Sequence, residues 1–340
     1  MEHSLVAPLP ALTDVLEQVH VVSLPLRVKF RGVLERETLL LKGAAGWGEF
    51  APFLEYEDAE ASAWLASALE SAWQGYPKPL RSSIALNATV PAVSADQVES
   101  VLARYEGEVR EVKIKVAEPL QTLADDLARV AAVRELLPQA GIKIDANMGW
   151  SHSQAIEALT RLEPFDLLYA EQPVASIEGL ARVRQELNDK GHKVLIAADE
   201  SVRKAQDPLL VAQAGAADVL IIKAAPLGGV RRALSIVEAS GLPCVVSSAL
   251  ESSVGIATGA ALAAALPELP FGCGLGTVSL MGADVTSEPL VAKNGELPVR
   301  AVEPETDLLR RHAVSPERRH WWIERLRRCY EYLEEAHPTS

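Results

Sequence analysis

The sequence is short of cysteine, histidine and positive charge, and it has no long uninterrupted apolar run. Its 340 residues include three cysteines, Cys244, Cys273 and Cys329. They are odd in number and far apart, which argues against a disulfide-stapled secreted scaffold; they read as free thiols in a reducing cytosol. The seven histidines are scattered, with no pair at metal-ligand spacing, so a zinc site is not expected. Lysine and arginine number 33 against 46 aspartates and glutamates, a formal net charge of -13. That balance argues against nucleic acid or an anionic membrane as partner. It leaves an anionic small molecule open, because a bound divalent ion reverses the sign locally. No stretch of roughly 18 or more apolar residues lacks a charge or a turn signal, so no spanning helix is expected. The opening Met1-Glu-His-Ser-Leu-Val-Ala-Pro8 has neither the basic nor the apolar segment of a secretion signal, and the expected compartment is the cytoplasm.

At 49% hydrophobic, the chain has the means to bury a substantial core. From about residue 83 it alternates strand-like and helix-like segments. The strand candidates centre on Leu86, Ile114, Ile144, Tyr169, Ile196, Leu220, Val245 and Gly272. They recur roughly every 24 to 30 residues, the length of a βα unit. Eight such units predict a (β/α)8 barrel over residues 83–288. The candidates are rich in Val, Ile and Leu without alternation, as parallel strands buried on both faces require. Between them lie helical stripes: Leu123, Leu127, Val130 and Val133; then Ile156, Leu159 and Leu162; then Leu180, Val183 and Leu187. Gly215 and Gly241 stand where helices hand over to strands. The alanine-rich 254–266 and the short, loop-like eighth strand are the weakest units.

Residues 1–82 do not fit the repeat. Strand signals at 19–26, 37–43 and 47–50, with a helix at 59–73, predict an antiparallel α+β unit. Residues 289–340 also fall outside the barrel and are expected to pack on that unit. There Ser315-Pro316-Glu317 reads as an N-cap, a proline at N1 and a first-turn acid. The helix that follows places Trp322, Leu326, Cys329 and Leu333 on one face. The fold class expected is therefore α/β: a modified (β/α)8 TIM barrel with an α+β cap built from both ends of the chain.

The chemistry-bearing residues sit at the ends of these strands. Asp145 ends Ile142-Lys-Ile-Asp-Ala-Asn147, Glu171 lies in Leu167-Leu-Tyr-Ala-Glu-Gln-Pro173, and Asp199 in Leu195-Ile-Ala-Ala-Asp-Glu-Ser201. Lys113 and Lys115 precede them in Val112-Lys-Ile-Lys-Val116, and Lys223 follows in Asp218-Val-Leu-Ile-Ile-Lys223. Any one acid alone reads as a solvated loop residue or a helix cap. A charge at the end of a buried strand is costly without a partner, and its recurrence at one point of five successive units points to one catalytic face. Oxygen-only donors favour Mg²⁺, with Mn²⁺ as substitute, over zinc. Asn147 and Glu200 are placed to orient the ligands. Lys113 and Lys115, two apart on a strand, point the same way. A metal and a second ammonium nearby lower a lysine's pKa, which suits one of them to general-base work. A divalent ion that binds a substrate carboxylate would then stabilise the enediolate formed when a lysine takes the α-proton. The implied partner is a small carboxylate, with oligomeric state open. Ser247, Ser248 and Gly274, at the ends of the seventh and eighth strands, with Arg31 from the cap, are the expected binding groups for a second carboxylate.

The ordered set Lys113-Ile-Lys115, Asp145-Ala-Asn147, Glu171-Gln-Pro173, Asp199-Glu-Ser201 and Lys223 resembles the enolase superfamily, in particular its muconate-lactonizing-enzyme-like subgroup. Leu24-Pro-Leu26, Phe30 and Gly46-Trp-Gly-Glu49 are similar to its N-terminal capping domain, so the resemblance covers most of the chain. Within the subgroup, Gly46-Trp-Gly-Glu-Phe-Ala-Pro-Phe53, Asn87-Ala-Thr-Val-Pro91 and Ser247-Ser-Ala-Leu-Glu-Ser-Ser-Val-Gly255 look like the dehydratases of high-GC Gram-positive bacteria, as does the compact Arg27-Val-Lys-Phe-Arg-Gly-Val33. The resemblance implies a Mg²⁺-dependent hydro-lyase of menaquinone biosynthesis. It would turn 2-succinyl-6-hydroxy-2,4-cyclohexadiene-1-carboxylate into 2-succinylbenzoate, with Lys115 as the acid/base and Lys223 as a cation over the ring. Two other activities of the superfamily use the same lysines: racemisation of N-succinylamino acids and epimerisation of dipeptides. The second is disfavoured, since Ser247-Ser-Ala-Leu-Glu251 stands where its Asp-x-Asp pair is expected. A non-catalytic metal-binding barrel is the remaining alternative, and it gives no reason for three inward lysines.

Overall fold

Three strands between Val19 and Phe50 form a meander whose middle strand is apolar on both sides. The computed structural model describes residues 8–30, 33–203 and 208–336. Its first sheet has the order β1 (Val19–Phe30), β2 (Val33–Gly43), β3 (Gly46–Phe50), all antiparallel. Leu39, Leu40 and Leu41 of β2 are all buried, so the strand is covered on both faces. The helix Asp58–Leu69 lies on this sheet, where Gly48 allows it to come close: a Cβ there would run into the Ala68 carbonyl. The C-terminal helix Pro316–Ala336 packs on that helix and buries Trp322, Leu326, Cys329 and Leu333. The Trp322 ring meets Phe50 edge-on at 5.9 Å, and its Nε1 donates to Glu37 at 2.9 Å.

The barrel strands follow. β4 (Ser83–Ala85) is short. β5 (Ala88–Val90), β6 (Glu111–Lys115), β7 (Gly141–Asp145), β8 (Leu167–Glu171), β9 (Ile196–Ala198), β10 (Val219–Ile222) and β11 (Cys244–Val246) form one parallel sheet in chain order. Cys273 and Gly274 then make parallel bridges to Leu86 on one edge and Ser247 on the other, closing the ring. The fold is a modified (β/α)8 barrel with an α+β cap. Its first parallel strand starts two residues after Leu86, the position the sequence pattern favours. The reason is that Ser83–Ala85 pairs antiparallel with β12 (Glu296–Pro298), from the chain's last third.

Local chemistry sets the helices. Thr122 with Asp125, and Ser151 with Gln154, form capping boxes at the starts of Leu123–Leu136 and His152–Leu162. Gly241, at φ 65°, ends Val230–Ser240 in the left-handed conformation. The alanine-rich segment is a helix, Ser253–Ala265, almost wholly buried between barrel and cap. Inside the barrel, Tyr169, Ala197, Val219, Ile221 and Val245 pack together with Phe271. The three cysteines are buried and free, and burial pushes their thiols up to about 12. Among the described residues no helix is long and apolar enough to cross a membrane.

Cap and barrel meet at a buried carboxylate. Glu49 of β3 accepts from the backbone N–H groups of Ser252 at 3.1 Å and Gly255 at 2.8 Å, and from the Ser252 hydroxyl. It thus caps the helix Ser253–Ala265 from another domain, satisfying N–H groups that the helix leaves unpaired. Burial pushes its carboxyl up to about 7, against the pull of these donors and with help from the neighbouring Glu251. A carboxyl pKa raised by folding gives stability that is complete below its unfolded value and lost as pH rises through the folded one. From pH 4.5 to 7 the protein is therefore expected to lose about 3 kcal/mol on this group's account. Denaturant titrations of wild type and Glu49→Gln across that window check it; the difference between them should shrink as the pH falls.

Candidate active site

The C-terminal ends of β6 to β10 carry charged side chains into the barrel mouth. Lys115 pairs in register with Asp145, and Asp145 with Glu171. Asp199 follows β9 directly and Lys223 follows β10. The sheet order therefore puts the three carboxylates on three adjacent strands, with Lys115 to one side and Lys223 to the other.

Each carboxylate is buried and each is bound to a lysine. The Lys113 ammonium donates to Glu171 Oε1 at 3.0 Å and lies 2.9 Å from Asp145 Oδ2. Lys115 Nζ donates to Asp145 Oδ2 at 2.6 Å and to Asn147 Oδ1. Lys223 Nζ donates to both oxygens of Asp199, at 2.7 and 2.6 Å. Asn147 donates onward to Glu200 Oε1 at 3.3 Å, and its backbone N–H donates to Asp145 Oδ1 at 3.1 Å. Gln172 fixes the start of the next loop by accepting from the N–H groups of Asp199 at 3.0 Å and Ser201 at 3.2 Å.

These partners govern protonation. Burial would lift Asp145, but Lys113 and Lys115 hold it well below the ordinary carboxylate range. Glu171 is raised, first by burial and then by the charge of Asp145. Burial would lower Lys113, yet Asp145 and Glu171 outweigh it and hold its ammonium well above the usual lysine range. The direction is opposite to that expected from lysine crowding alone, because the carboxylates are the nearer charges.

Among the described residues, no three acidic, cysteine or histidine side chains are gathered around one point as a ready-made metal cage. The lysines stand among the carboxylates instead. The donor set nevertheless suits a hard divalent ion: three buried oxygen donors on neighbouring strands, without sulfur or imidazole. Glu171 is raised partly by the charges of Asp145 and Asp199, a repulsion that a bound cation would relieve.

Ser247, Ser248 and Gly274 lie together on the wall beside Lys223. Ile222 pairs with Val246, so Lys223 and Ser247 are the next residues on their strands. Gly274 bridges Ser247, and its carbonyl accepts from the Ser248 N–H at 3.1 Å and hydroxyl at 2.9 Å. A Cβ there would stand 2.7 Å from the Ser247 hydroxyl oxygen, so any larger residue requires that hydroxyl to turn away. Arg31 lies outside the described residues.

With this geometry in view, the chain can be set against known proteins. Residues 94–304 match the family described as Enolase C-terminal domain-like, and residues 21–72 match Enolase N-terminal domain-like. A protein of Mycolicibacterium smegmatis named o-succinylbenzoate synthase is 53% identical over 322 residues, 94% of this chain and 98% of that one. One of the same name from Mycobacterium leprae is 51% identical over 328 residues, 96% of this chain and 95% of that one. The chain belongs to the o-succinylbenzoate synthase family of the enolase superfamily. It is accordingly an enzyme of the lyase class. Among solved structures, 2-chloromuconate cycloisomerase from Rhodococcus opacus 1CP aligns with a TM-score of 0.72 at 26% identity, covering 87% of this chain and 98% of that one. Muconate lactonizing enzyme from Pseudomonas putida, at 22% identity and a TM-score of 0.71 over 87% of this chain and 98% of its own, shares the fold.

One charged group inside the barrel escaped the sequence reading. Lys143, two residues before Asp145 on β7, points to the same face and is fully buried beneath the site. Its ammonium pairs with Glu111 at 2.6 Å and donates to the Gly272 carbonyl at 2.7 Å. Glu111 accepts from the Gly272 N–H at 2.9 Å. The pair thus grips both polar groups of Gly272 and extends the short backbone ladder that Cys273 and Gly274 make. The spacing rule that joins Lys113 to Lys115 also joins Lys143 to Asp145. Lys143→Met is expected to cost about 3 kcal/mol, the lower end for breaking a buried pair, because Glu111 keeps some exposure. Urea unfolding measures it; a loss under about 1 kcal/mol would mean that the seam does not depend on this pair.

Proposed function

We propose that this protein dehydrates 2-succinyl-6-hydroxy-2,4-cyclohexadiene-1-carboxylate to 2-succinylbenzoate, with Mg²⁺, in the cytoplasm, as a step of menaquinone biosynthesis. The observation that carries it is the order along the sheet: a lysine, three buried carboxylates, a lysine. The relatives named o-succinylbenzoate synthase, about half identical over nearly the whole chain, support the choice of substrate.

In this reading Asp145, Glu171 and Asp199 hold the metal, and Asn147 and Glu200 keep the ligands oriented. Bound there, Mg²⁺ polarises the substrate carboxylate and makes the α-proton easier to remove. Lys115 Nζ takes that proton and returns it to the leaving hydroxyl on the same face. Water departs and the ring becomes aromatic. Lys113 stays an ammonium between Asp145 and Glu171 and keeps both near one place. Lys223 faces the ring from the other side and stabilises negative charge there. Ser247, Ser248 and Gly274 bind the succinyl carboxylate. The two flanking lysines also favour a second reading, racemisation of an N-succinylamino acid, in which each lysine serves one face.

Purified protein with Mg²⁺ and the cyclohexadiene substrate is expected to yield the aromatic product, followed by absorbance, and to stop with EDTA. Lys115→Ala should lose about 10²- to 10⁴-fold in kcat, the usual share of general acid–base catalysis, together with exchange of the α-proton into D2O. Lys115→Arg should fail as well, because a guanidinium stays protonated. Lys223→Arg keeps a cation and should retain some dehydration while abolishing racemisation. Turnover by Lys115→Ala, with Lys223→Arg inactive and unable to exchange the proton, would make Lys223 the base.

A further inference from the structure

We propose that Arg36 and Glu49, two side chains of the cap, are positioning residues that hold the 248–252 loop and, through it, the wall that binds the substrate's second carboxylate. The inference rests on the reading of that wall given above.

The loop leaves β11 and ends at the N-cap of the helix Ser253–Ala265. Its first residue is tied to the barrel, since Ser248 donates to the Gly274 carbonyl. Its remaining hold comes largely from the other domain. Leu250 is buried with φ 66°, a conformation that a residue with a Cβ adopts only where its surroundings impose it. Its carbonyl accepts from Arg36 Nε at 3.0 Å. That guanidinium is itself fixed in the cap, by the Ala51 carbonyl and by the Phe53 ring, whose centroid lies 4.2 Å away. At the far end of the loop, Glu49 takes the Ser252 and Gly255 N–H groups and the Ser252 hydroxyl. Between the two grips, Glu251 folds back on the Ala249 N–H at 2.7 Å. There is no slack to take up a slip: a Cβ on Gly255 would stand 2.5 Å from the Glu251 Cβ.

Arg36, Glu49 and Glu251 are all at least nine-tenths buried. An interface that only had to adhere would do so at lower cost with apolar side chains, since polar groups lose hydration when buried. What these hydrogen-bonding groups add is direction. They fix a carbonyl at one end of the loop and N–H donors at the other, so the position of the Ser247 and Ser248 wall is set by where the cap sits.

The test uses Glu49→Leu, which removes the acceptors at similar size, Arg36→Met and the milder Arg36→Lys, each in the full chain. Two readouts are needed: amide hydrogen exchange over residues 247–255, and kcat and KM for the cyclohexadiene substrate with Mg²⁺. Expected are exchange in that segment faster by about tenfold or more with the β6–β9 amides unchanged, and KM raised about tenfold or more with kcat within about threefold. Arg36→Lys, which keeps a donor for Leu250, should fall between Arg36→Met and wild type. If Arg36→Met or Glu49→Leu proves unfolded, Arg36→Lys decides the matter. Unchanged exchange in folded variants would overturn the proposal, and so would faster exchange with unchanged KM. A wild-type protein that does not turn over the substrate refutes the proposed reaction alone; the exchange measurement still decides whether Arg36 and Glu49 hold the loop.

Discussion

Three carboxylates and three ammonium groups, buried together at one end of the barrel, hold one another in place. None of them is tolerable there alone, because a buried charge needs an opposite partner. Lys113 bridges Asp145 and Glu171, Lys115 adds a second cation to Asp145, and Lys223 takes both oxygens of Asp199. Written as charges, the six groups cancel. Such networks rarely repay their desolvation as stability. Their presence at the catalytic face of a barrel is therefore a statement about chemistry rather than about folding.

Much of this was legible before folding, and for a physical reason. Parallel strands buried on both faces give apolar runs that a charge interrupts visibly, so Asp145, Glu171, Asp199 and the lysines stood out at the strand ends. The βα repeat placed them at one level because register in a parallel sheet is set by neighbours. The two weak units behave differently. The eighth strand is reduced to two bridged residues, Cys273 and Gly274, and the side chains of Lys143 and Glu111 hold Gly272 just before them. The first parallel strand is shifted because its lead-in pairs with residues more than two hundred positions away. Contacts of that kind leave no local periodicity. Arg36 and Leu250, 214 residues apart, are joined by a hydrogen bond that nothing in either segment announces. Lys143 is the instructive omission. It stood in a quoted motif, at a spacing whose meaning was already in use, and only its partners show what it does.

The molecule can be read as layers along the barrel axis. Below the mouth the Lys143–Glu111 pair shares the interior with Tyr169, Ile221, Val245 and Phe271; Lys143 is in register with Tyr169, and its ammonium lies 5.4 Å from that ring and 5.9 Å from Phe271. At the mouth the lysine–carboxylate set faces outward, and over it the cap reaches down with Arg36 and Glu49 to the loop after the seventh strand. The barrel carries the charged set on its strand ends, while the cap's sheet, through Arg36 and Glu49, holds the loop after the seventh strand.

The central claim, that the carboxylates between the two lysines hold the metal, is tested most directly by diffraction from crystals grown with Mn²⁺ and 2-succinylbenzoate. The expected result is one anomalous peak with carboxylate oxygens of Asp145, Glu171 and Asp199 all at about 2.1–2.2 Å, the oxygen-ligand distance of a small hard divalent ion. A peak that lacks any one of the three, or a product-bound site without a peak among them, would contradict it.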